Sequence, residues 1–339
     1  MSEPERLLLV ANLAPEHMGA HLAAAARSCE MAFDTADTRD AWSGPELLQR
    51  LSYHFGGKRP TALERFSRRV VKLSLATKPT VLLTTGIAPL HARAIRAIQT
   101  RGVRCINYLT DDPWNRANGA HFFWAALRAY DTVYSPRKAN LSDLRAHGCS
   151  DVRYLPFGYN PEIHFPVELT EDERARFSCD VAFVGAADAD RTALVQPLLH
   201  SDLWTKLYGS FWERHPYTRP YHRGIVFERE LRAAVGGAKV NLCMGRAANR
   251  DGHAMRSFEL PAMRACMLVE DTEEHREIFG AEDDCVGYYT TPADLVTRAR
   301  VLCHDVPRRE RLAAAVHAKI CDGSNTYAAR LSTMVRGTA

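Results

Sequence analysis

The chain has 339 residues, a net charge of +4 and a hydrophobic content of 46%. A compact domain is usually about 100–200 residues long, so this length predicts two domains, each with its own core. The charge is too small to indicate a nucleic-acid-binding protein, but it suits an anionic small ligand held by a few arginines. No apolar run approaches the roughly 20 residues of a membrane helix, and the first residues lack the pattern of a signal peptide.

The nine cysteines are odd in number, and none of them forms a C-x-x-C motif. Several lie inside apolar runs such as "CMLV" and "VNLCM". This pattern favours buried thiols in a reducing compartment over a disulfide framework or a zinc site. We therefore expect a cytoplasmic protein whose contact with a membrane, if any, is peripheral.

Short apolar runs recur along the chain and alternate with amphipathic stretches. Most of the runs are continuous, which is typical of parallel strands covered on both faces. The alternation predicts an α/β protein with two Rossmann-like domains, whose parallel sheets face each other across a cleft. The runs that we assign to strands are 6–13, 80–86, 103–109, 131–135, 180–185, 206–210, 238–244, 266–270 and 286–290.

The two domains are expected to meet in a proline-rich segment. Residues 156–178 carry three prolines followed by a charged run, and they separate two sets of α/β elements. We interpret this segment as an interdomain linker, with one domain at 1–160 and the other at 161–325. Ligands of open α/β sheets bind at the carboxyl ends of the strands, so candidate site residues should follow strands directly.

Two strands of the second domain end in glycines. Gly185 would let the backbone approach a ligand, and Arg191 shortly after it could reach a phosphate. Tyr208 and Gly209 follow the next strand, where the tyrosine could stack on a base. The alternatives are an ordinary strand-to-helix turn with a surface arginine and an aromatic cluster in the core.

A polar loop and a helix follow the run at 238–244. The helix is expected to begin near residue 255, and a helix N-terminus is a natural anion site. Arg246, Arg250, Arg256 and Ser257 lie at this end. Because cations disfavour a helix N-terminus, their clustering indicates a bound diphosphate. The alternative is three solvated arginines on a loop.

Glu259 lies three residues after Arg256, so the two side chains share one face of the helix. A carboxylate at this position could accept hydrogen bonds from the two hydroxyls of a ribose, as in Rossmann folds. The alternative is an ion pair on the helix surface, which contributes about 0.3 kcal/mol.

In the first domain, polar residues follow the strand at 103–109. Asp111 and Asp112 could bind a metal, act as a base or hold sugar hydroxyls, and Trp114 could stack on a sugar. The alternative is a capped turn, because Asp before Pro favours turns. His17 and His91 follow other strands, and a histidine is a natural general base, although a lone histidine is more often structural.

The chain resembles the spore-maturation-type (CgeB-like) glycosyltransferases over roughly residues 80–325. The segments that carry the resemblance are "YLTDDPW", "YLPFGYNPEIH", "DVAFVGAADADR", "RSFELPAMRACMLVEDTEEHREIF" and "RRERLAAAVHAKICDGSNTYAARL". The resemblance implies a GT-B fold, with an acceptor-binding N-terminal domain and a C-terminal domain that holds the nucleotide sugar. It also implies metal-independent transfer and a last helix, at 326–339, that packs back on the first domain.

By the same resemblance, Glu259 matches the glutamate at the ribose, Arg256 the arginine at the phosphates, and Asp111 with Asp112 an acidic pair facing the cleft. One departure stands out. The family has a glycine turn close to "P-A-C-G" after the glutamate, whereas this chain continues from Pro261 and Ala262 with "MRAC".

These patterns predict a glycosyltransferase that moves a sugar from a nucleoside-diphosphate sugar, a UDP- or dTDP-sugar, to an acceptor hydroxyl. Asp111, Asp112 or His17 takes the proton, and the helix N-terminus with its arginines stabilises the leaving diphosphate without a metal. The acceptor class (glycan, natural product, lipid or protein) stays open, and a monomer or homodimer is expected.

Alternatives are a sugar-nucleotide epimerase or hydrolase and a non-catalytic nucleotide-sugar-binding relative. The basic stretch 56–72 reads as an amphipathic helix that could touch an anionic acceptor or a membrane.

Overall fold

The structure is a computed structural model that describes residues 5–337, with the backbone alone for residues 53–55. The chain forms two compact units. One unit ends at Pro156 and takes back the chain from Tyr327 onward, and the other spans Phe157–Thr326.

The first unit is a six-stranded parallel sheet in the order β2-β1-β3-β4-β5-β6, with helices between successive strands. Its strands are β1 (Arg6–Ala11), β2 (Ala32–Asp37), β3 (Val81–Thr85), β4 (Arg104–Tyr108), β5 (Thr132–Ser135) and β6 (Val152–Tyr154). Its first six helices are α1 (Met18–Ser28), α2 (Glu46–Phe55), α3 (Leu63–Thr77), α4 (Ala92–Gln99), α5 (His121–Leu127) and α6 (Ala139–Ala146).

The second unit is a five-stranded parallel sheet in the order β11-β10-β9-β7-β8. Its strands are β7 (Cys179–Val184), β8 (Thr205–Tyr208), β9 (Ala238–Cys243), β10 (Met267–Glu270) and β11 (Gly287–Tyr289). Its helices are α7 (Glu171–Phe177), α8 (Ala189–Leu199), α9 (Glu228–Gly237), α10 (Arg256–Ala262), α11 (Glu273–Phe279), α12 (Pro292–His304) and α13 (Val306–Ile320). The last helix of the chain, α14 (Tyr327–Arg336), belongs to the first unit.

Each sheet is buried on both faces. In β1 the residues from Leu7 to Ala11 are all buried, although they point alternately to opposite faces of the sheet. In β7 the residues from Val181 to Val184 are likewise buried. This is why the strand sequences are continuous apolar runs rather than alternating ones. Each unit has its own hydrophobic core.

Helix α14 completes the first unit by packing on α1. The Tyr327 ring stacks on His21, with ring centroids 5.2 Å apart and an angle of 14° between the ring planes. Further along the helix, Arg330 Nε donates to the carbonyl of Pro156 at 2.9 Å. The Tyr134 hydroxyl donates to the carbonyl of Thr333 at 3.5 Å. The C-terminal helix is thus held by contacts with the beginning, the middle and the end of the first unit's main segment.

The strand orders define a topological switch point in each sheet, where successive connections leave in opposite directions. In the first sheet this point lies between β1 and β3, and in the second it lies between β7 and β9. Loops at the carboxyl ends of such strand pairs form the ligand crevice of open α/β sheets. The residues that follow these strands are therefore the first candidates for a site.

The predicted fold class is confirmed: both units are parallel-sheet, Rossmann-like domains. All nine predicted runs lie on strands, and the structure adds β2 and β6. The sequence of β2, "AFDTAD", carries three polar residues because this strand lies at the edge of its sheet. Strand β6 has only three residues, which is too short for an apolar run to stand out.

The interpretation of residues 156–178 as an interdomain linker needs a correction. Phe157, Tyr159, Asn160 and His164 are buried, and α7 is fixed by a capping box at Thr170. The segment therefore packs as part of the second unit, because its aromatic and polar side chains find partners there.

Seven of the nine cysteines are buried, whereas Cys29 is exposed and Cys321 is half-buried. Burial raises the pKa of the Cys243 and Cys303 thiols to about 11, which keeps them protonated. Across residues 5–337, none of the helices combines the length and the apolar character needed to cross a membrane.

Candidate functional site

Arg191 ties together the loops that follow β7 and β9. The side chain of Asp188 caps α8 by accepting from the Arg191 backbone N–H at 2.9 Å. The Arg191 guanidinium donates to the carbonyls of Ala186 at 3.1 Å, Met244 at 2.9 Å and Gly245 at 3.2 Å. Burial, with Arg246 nearby, lowers the pKa of this guanidinium. Its donors are directed at the protein itself, so Arg191 shapes the switch point of the second sheet and presents no free guanidinium to a phosphate.

Gly185 and Gly209 lie where two loops approach each other closely. Gly209 has a φ of +122°, and a Cβ at this position would lie 2.3 Å from the Gly185 carbonyl oxygen. That carbonyl accepts a hydrogen bond from Trp212 Nε1 at 2.8 Å. Tyr208 is buried beside Phe177, with ring centroids 6.4 Å apart. The tyrosine therefore belongs to the core and offers no exposed ring face for a base.

The loop after β9 carries the exposed cations of this region. Its backbone is fixed by Asp251, whose carboxylate accepts from the Arg246 backbone N–H at 3.0 Å. The Arg246 side chain is partly exposed, with Nε 3.7 Å from the Asp188 carboxylate. Arg250 is exposed and has a φ of +53°. These two arginines border the β7–β9 switch point and are accessible to an anion.

Arg256 and Glu259 form an ion pair on the first turn of α10. Arg256 Nε also donates to the carbonyl of Val184, the last residue of β7, at 3.1 Å. Its guanidinium is therefore placed at a strand end by a backbone contact. Glu259 is only 1% exposed, so its carboxylate is buried beneath the partly exposed Arg256 side chain.

The second neighbour of Glu259 is His164, which the sequence analysis missed. His164 Nε2 lies 3.8 Å from Glu259 Oε1, and both side chains are buried. His164 Nδ1 accepts from the backbone N–H of Asn160 at 3.1 Å. In the neutral ring this leaves the proton on Nε2, facing the carboxylate. The signal was a histidine in the segment "YNPEIHF", which the linker interpretation had set aside.

Ser257 is fully buried beneath the start of α10. Its hydroxyl lies 2.8 Å from His275 Nε2 and accepts from the Ala254 N–H at 3.1 Å. His275 Nδ1 lies 2.7 Å from the carbonyl of Glu270. Burial lowers the pKa of His275 to about 4, so the ring is neutral and Ser257 donates to it. Ser257 therefore links α10 to His275 of α11, which in turn contacts β10, and it is not exposed to a diphosphate.

The segment before α10 is anchored in a similar way. His253 Nδ1 lies 2.6 Å from the carboxylate of Glu274, and its Nε2 accepts from the Phe157 N–H at 3.3 Å. At Gly252 an added Cβ would lie 2.5 Å from Glu274, so only glycine fits there. Buried side chains thus fix the backbone of the residues that immediately precede helix α10.

The turn after α10 keeps the form that the missing glycine would have given it. Arg264 has a φ of +59°, in the left-handed region that favours glycine. The Ala265 N–H donates to the Leu260 carbonyl at 3.1 Å, and the Arg264 N–H donates to the Pro261 carbonyl at 2.8 Å. This pair of bonds is the Schellman motif that commonly ends helices. "MRAC" therefore makes the glycine-type turn with a strained, exposed arginine.

In the first unit, the two aspartates after β4 have different surroundings. Asp112 is buried, and its Oδ1 accepts from the backbone N–H of Trp114 at 2.9 Å. It forms the capped turn that was the alternative interpretation. Asp111 is half-buried, and a Cβ on Gly86 would lie 2.6 Å from its carboxylate. Gly86 thereby leaves room for the Asp111 carboxylate at the end of β3. The ring of Trp114 is 37% exposed and packs edge-to-face on Trp124.

The two candidate histidines of the first unit also differ. His91 caps α4, with Nδ1 accepting from the Ala94 N–H at 3.1 Å and Nε2 3.1 Å from the Glu64 carboxylate. Its ring is thus engaged on both sides. His17 is exposed at the start of α1, beside the β1–β3 switch point, with Nε2 3.8 Å from Glu16. Of the two, His17 has the ring that is accessible to a ligand.

Within residues 5–337, no group of three or more His, Cys, Asp or Glu side chains is arranged to hold a metal ion. The charged groups near the switch point of the second unit include Arg246, Arg250 and Arg256 as well as Asp188, Asp251 and Glu259. Those of the first unit include Asp111, Glu16 and His17, and the Arg137 guanidinium donates to the Thr110 carbonyl beside Asp111.

Residues 191–336 match a family model described as glycosyl transferase-like. The matched segment includes α10 with Arg256 and Glu259, and the loop with Arg246 and Arg250. No curated protein sequence matches the chain significantly.

Several solved structures have the same fold at low sequence identity. Sucrose-phosphate synthase from Thermosynechococcus elongatus is 11% identical, with a TM-score of 0.70 and coverage of 98% of both chains. A glycosyltransferase from Rickettsia africae is 12% identical, with a TM-score of 0.65 over 99% of this chain and 97% of the other. Anabaena HepE in complex with UDP and glucose is 10% identical, with a TM-score of 0.64 over 98% of this chain and 99% of the other.

These similarities confirm the GT-B fold that the sequence predicts. The family match adds that residues 191–336 are similar to glycosyl transferase-like sequences.

Proposed function

We propose that this protein transfers a sugar from a UDP- or dTDP-sugar to the hydroxyl of an acceptor, with the nucleotide sugar held by the second unit and the acceptor by the first. The observation that carries the donor part is the set of accessible arginines and the Arg256–Glu259 pair beside the β7–β9 switch point. HepE and sucrose-phosphate synthase have the same fold, and the HepE structure contains UDP.

In this proposal Arg256 leaves the Glu259 carboxylate and binds the diphosphate of the donor. In the described structure its guanidinium pairs with the buried Glu259 carboxylate. A diphosphate would compete for Arg256, with Arg246 and Arg250 as further partners. Moving the guanidinium away from Glu259 frees carboxylate oxygens for the two ribose hydroxyls. His164, on the other side of Glu259, then helps to hold the carboxylate in place.

The leaving diphosphate is stabilised by these arginines and by the backbone at the start of α10, so we propose transfer without a divalent metal. On the acceptor side, Asp111 and His17 are the groups we propose to take the proton, because both are accessible at strand ends. The Asp112 carboxylate already accepts from the Trp114 backbone N–H, so we assign it the role of holding the turn that carries Asp111 and Trp114. Trp114 is our candidate for stacking on the acceptor.

The donor role is tested by calorimetric titration of UDP, UDP-glucose and dTDP-glucose into the wild-type protein and into Glu259→Gln and Arg264→Gln variants. Glu259→Gln should weaken UDP binding by about 10-fold or more, because the amide cannot accept from both ribose hydroxyls. Arg264→Gln changes a charged residue in the turn that follows the same helix; it is the matched control and should bind as the wild type does. Equal UDP affinity in all three proteins would contradict the ribose role.

Incubation with the nucleotide sugar alone separates transfer from the other activities. Formation of UDP that requires an added acceptor supports transfer, whereas a new sugar nucleotide would indicate an epimerase and free sugar a hydrolase. A non-catalytic relative would bind the donor without turnover. Activity that survives EDTA supports the metal-free proposal, and loss that Mg²⁺ restores would refute it. We also propose membership of the CgeB-like subfamily, on the motifs quoted above.

A further inference from the structure

Helix α2 turns its apolar side to solvent. Leu47, Leu48 and Leu51 lie on one side of this helix and are 68%, 54% and 45% exposed. None of the side chains described for residues 46–52 is buried. A surface helix normally turns its apolar stripe to the core, so exposed leucines in a row indicate a surface that meets a partner.

The basic charge of the chain is concentrated around the same helix. Residues 46–78 contain eight Lys or Arg and two Glu, a net charge of 8 − 2 = +6. The whole chain carries +4, so the remainder has a net charge of 4 − 6 = −2. The segment of α2 and α3 is thus the positive part of an otherwise slightly acidic protein.

Three exposed cations of α3 have no acidic partner among the side chains that the structure describes: Arg65, Arg68 and Lys72. Arg65 lies next to the segment that precedes α2, because its guanidinium donates to the hydroxyl of Ser43. Arg68 and Lys72 follow it by three and seven residues, so they lie on the same side of α3. We call the three leucines of α2 and these three cations the leucine–arginine face.

We propose that the leucine–arginine face docks the protein on a membrane surface that contains anionic lipids. Leucines of an amphipathic helix enter the boundary between headgroups and acyl chains, and unpaired cations beside them attract lipid phosphates. A protein partner is less well matched, because the cores of protein interfaces are enriched in aromatic residues, whereas the apolar residues of this face are three leucines. The proposal is independent of the transferase activity of the switch-point regions.

The test is flotation of the full-length protein with vesicles of phosphatidylcholine alone or with about 30 mol% phosphatidylglycerol, at low and high salt. We expect binding to the anionic vesicles, weaker binding at high salt, and little binding to the neutral ones. The triple variant Leu47→Gln, Leu48→Gln, Leu51→Gln should lose about 10-fold or more of the vesicle affinity. Arg65→Gln with Arg68→Gln and Lys72→Gln should abolish the preference for anionic vesicles.

A matched control replaces two exposed apolar residues of the second unit, Val301→Gln and Val306→Gln. This variant should float as the wild type does, and thermal melting should be the same for the wild type and all variants. Wild-type flotation by the leucine variant, or absence of binding to anionic vesicles at low salt, would refute the proposal. A third outcome would also refute the proposal: the wild type forms a dimer, the leucine variant does not, and neither binds vesicles. The face would then bind a second copy of the chain.

Discussion

The strand-end regions of the two units differ in how firmly hydrogen bonds hold their side chains. In the second unit, Arg191 and the buried Ser257–His275 and His253–Glu274 pairs anchor the loops and α10 from below. In the first unit, Asp111 is half-buried and His17 is exposed. The difference suits a donor site that must place a diphosphate and a ribose in one geometry, and a proton acceptor that must meet a hydroxyl arriving from solvent.

The largest effect is expected where the second unit is tied together. Arg191→Met should lower the free energy of unfolding by about 3 kcal/mol, because three carbonyls near the core lose a charged donor. Urea denaturation measures this change. The control Arg246→Met removes a partly exposed arginine of the same region and should change stability by about 0.5 kcal/mol or less. Equal losses in the two variants would show that the region is not held by Arg191.

The buried imidazole of His275, in the same unit, should make the free energy of unfolding depend on pH. The pKa of His275 is about 4 in the folded state, against an ordinary value near 6.5. Between these values the unfolded chain binds a proton that the folded protein does not. Stability contributed by the neutral ring is therefore full above about pH 6.5 and is lost as the pH falls toward 4, by up to about 3 kcal/mol.

His275→Gln removes this titration while leaving a side chain that can accept from Ser257. Urea unfolding between pH 4 and 7 should give a shallower loss for the variant than for the wild type, since other groups titrate equally in both. Parallel pH profiles would mean that the ring of His275 is protonated without a penalty.

In the first unit, the two neighbouring aspartates should separate stability from activity. Asp112→Ala removes the carboxylate that caps a buried turn. It should lower the free energy of unfolding by about 1–2 kcal/mol, as measured by urea denaturation. Asp111→Asn should change stability by about 0.5 kcal/mol or less and, if Asp111 is the base, lower kcat by about 100-fold. His17→Gln is the parallel variant for the competing base. Unchanged kcat in Asp111→Asn would transfer the role to His17.

The smallest effect concerns the turn that closes α10. Arg264→Gly should raise the free energy of unfolding by about 0.5–1 kcal/mol, because glycine adopts a positive φ without strain. Arg264→Ala keeps the strain and serves as the control, with stability near that of the wild type. A destabilised glycine variant would indicate that the Arg264 side chain makes a stabilising contribution of its own.

Continuous apolar runs made most of both sheets predictable, because buried parallel strands leave a strong local signal. Strands β2 and β6 left none, since one is polar at a sheet edge and the other has three residues. Positions after strands were equally predictable, and this brought Arg246, Arg250, Arg256 and Asp111 into consideration.

The hydrogen-bond partners of the side chains could not be predicted from the sequence, because they depend on contacts between segments that are distant in the chain. Nothing near Arg191 in the sequence shows that it donates to the Met244 and Gly245 carbonyls, more than 50 residues away. His164 pairs with Glu259 across 95 residues for the same reason. A glycine-type turn formed by Arg264 is a case in which the surrounding hydrogen bonds override the local preference of the residue.

The return of α14 to the first unit has a consequence for how the chain is made. The N-terminal unit lacks helix α14 until Tyr327–Arg336 has left the ribosome, whereas Phe157–Thr326 is one uninterrupted segment that leaves before it. During synthesis the second unit can therefore finish folding before the unit that precedes it. Until Tyr327 reaches His21, the part of α1 that packs on α14 stays uncovered. The nascent first unit is thus the part of the protein most in need of a chaperone, and a chain truncated before Tyr327 should aggregate through it.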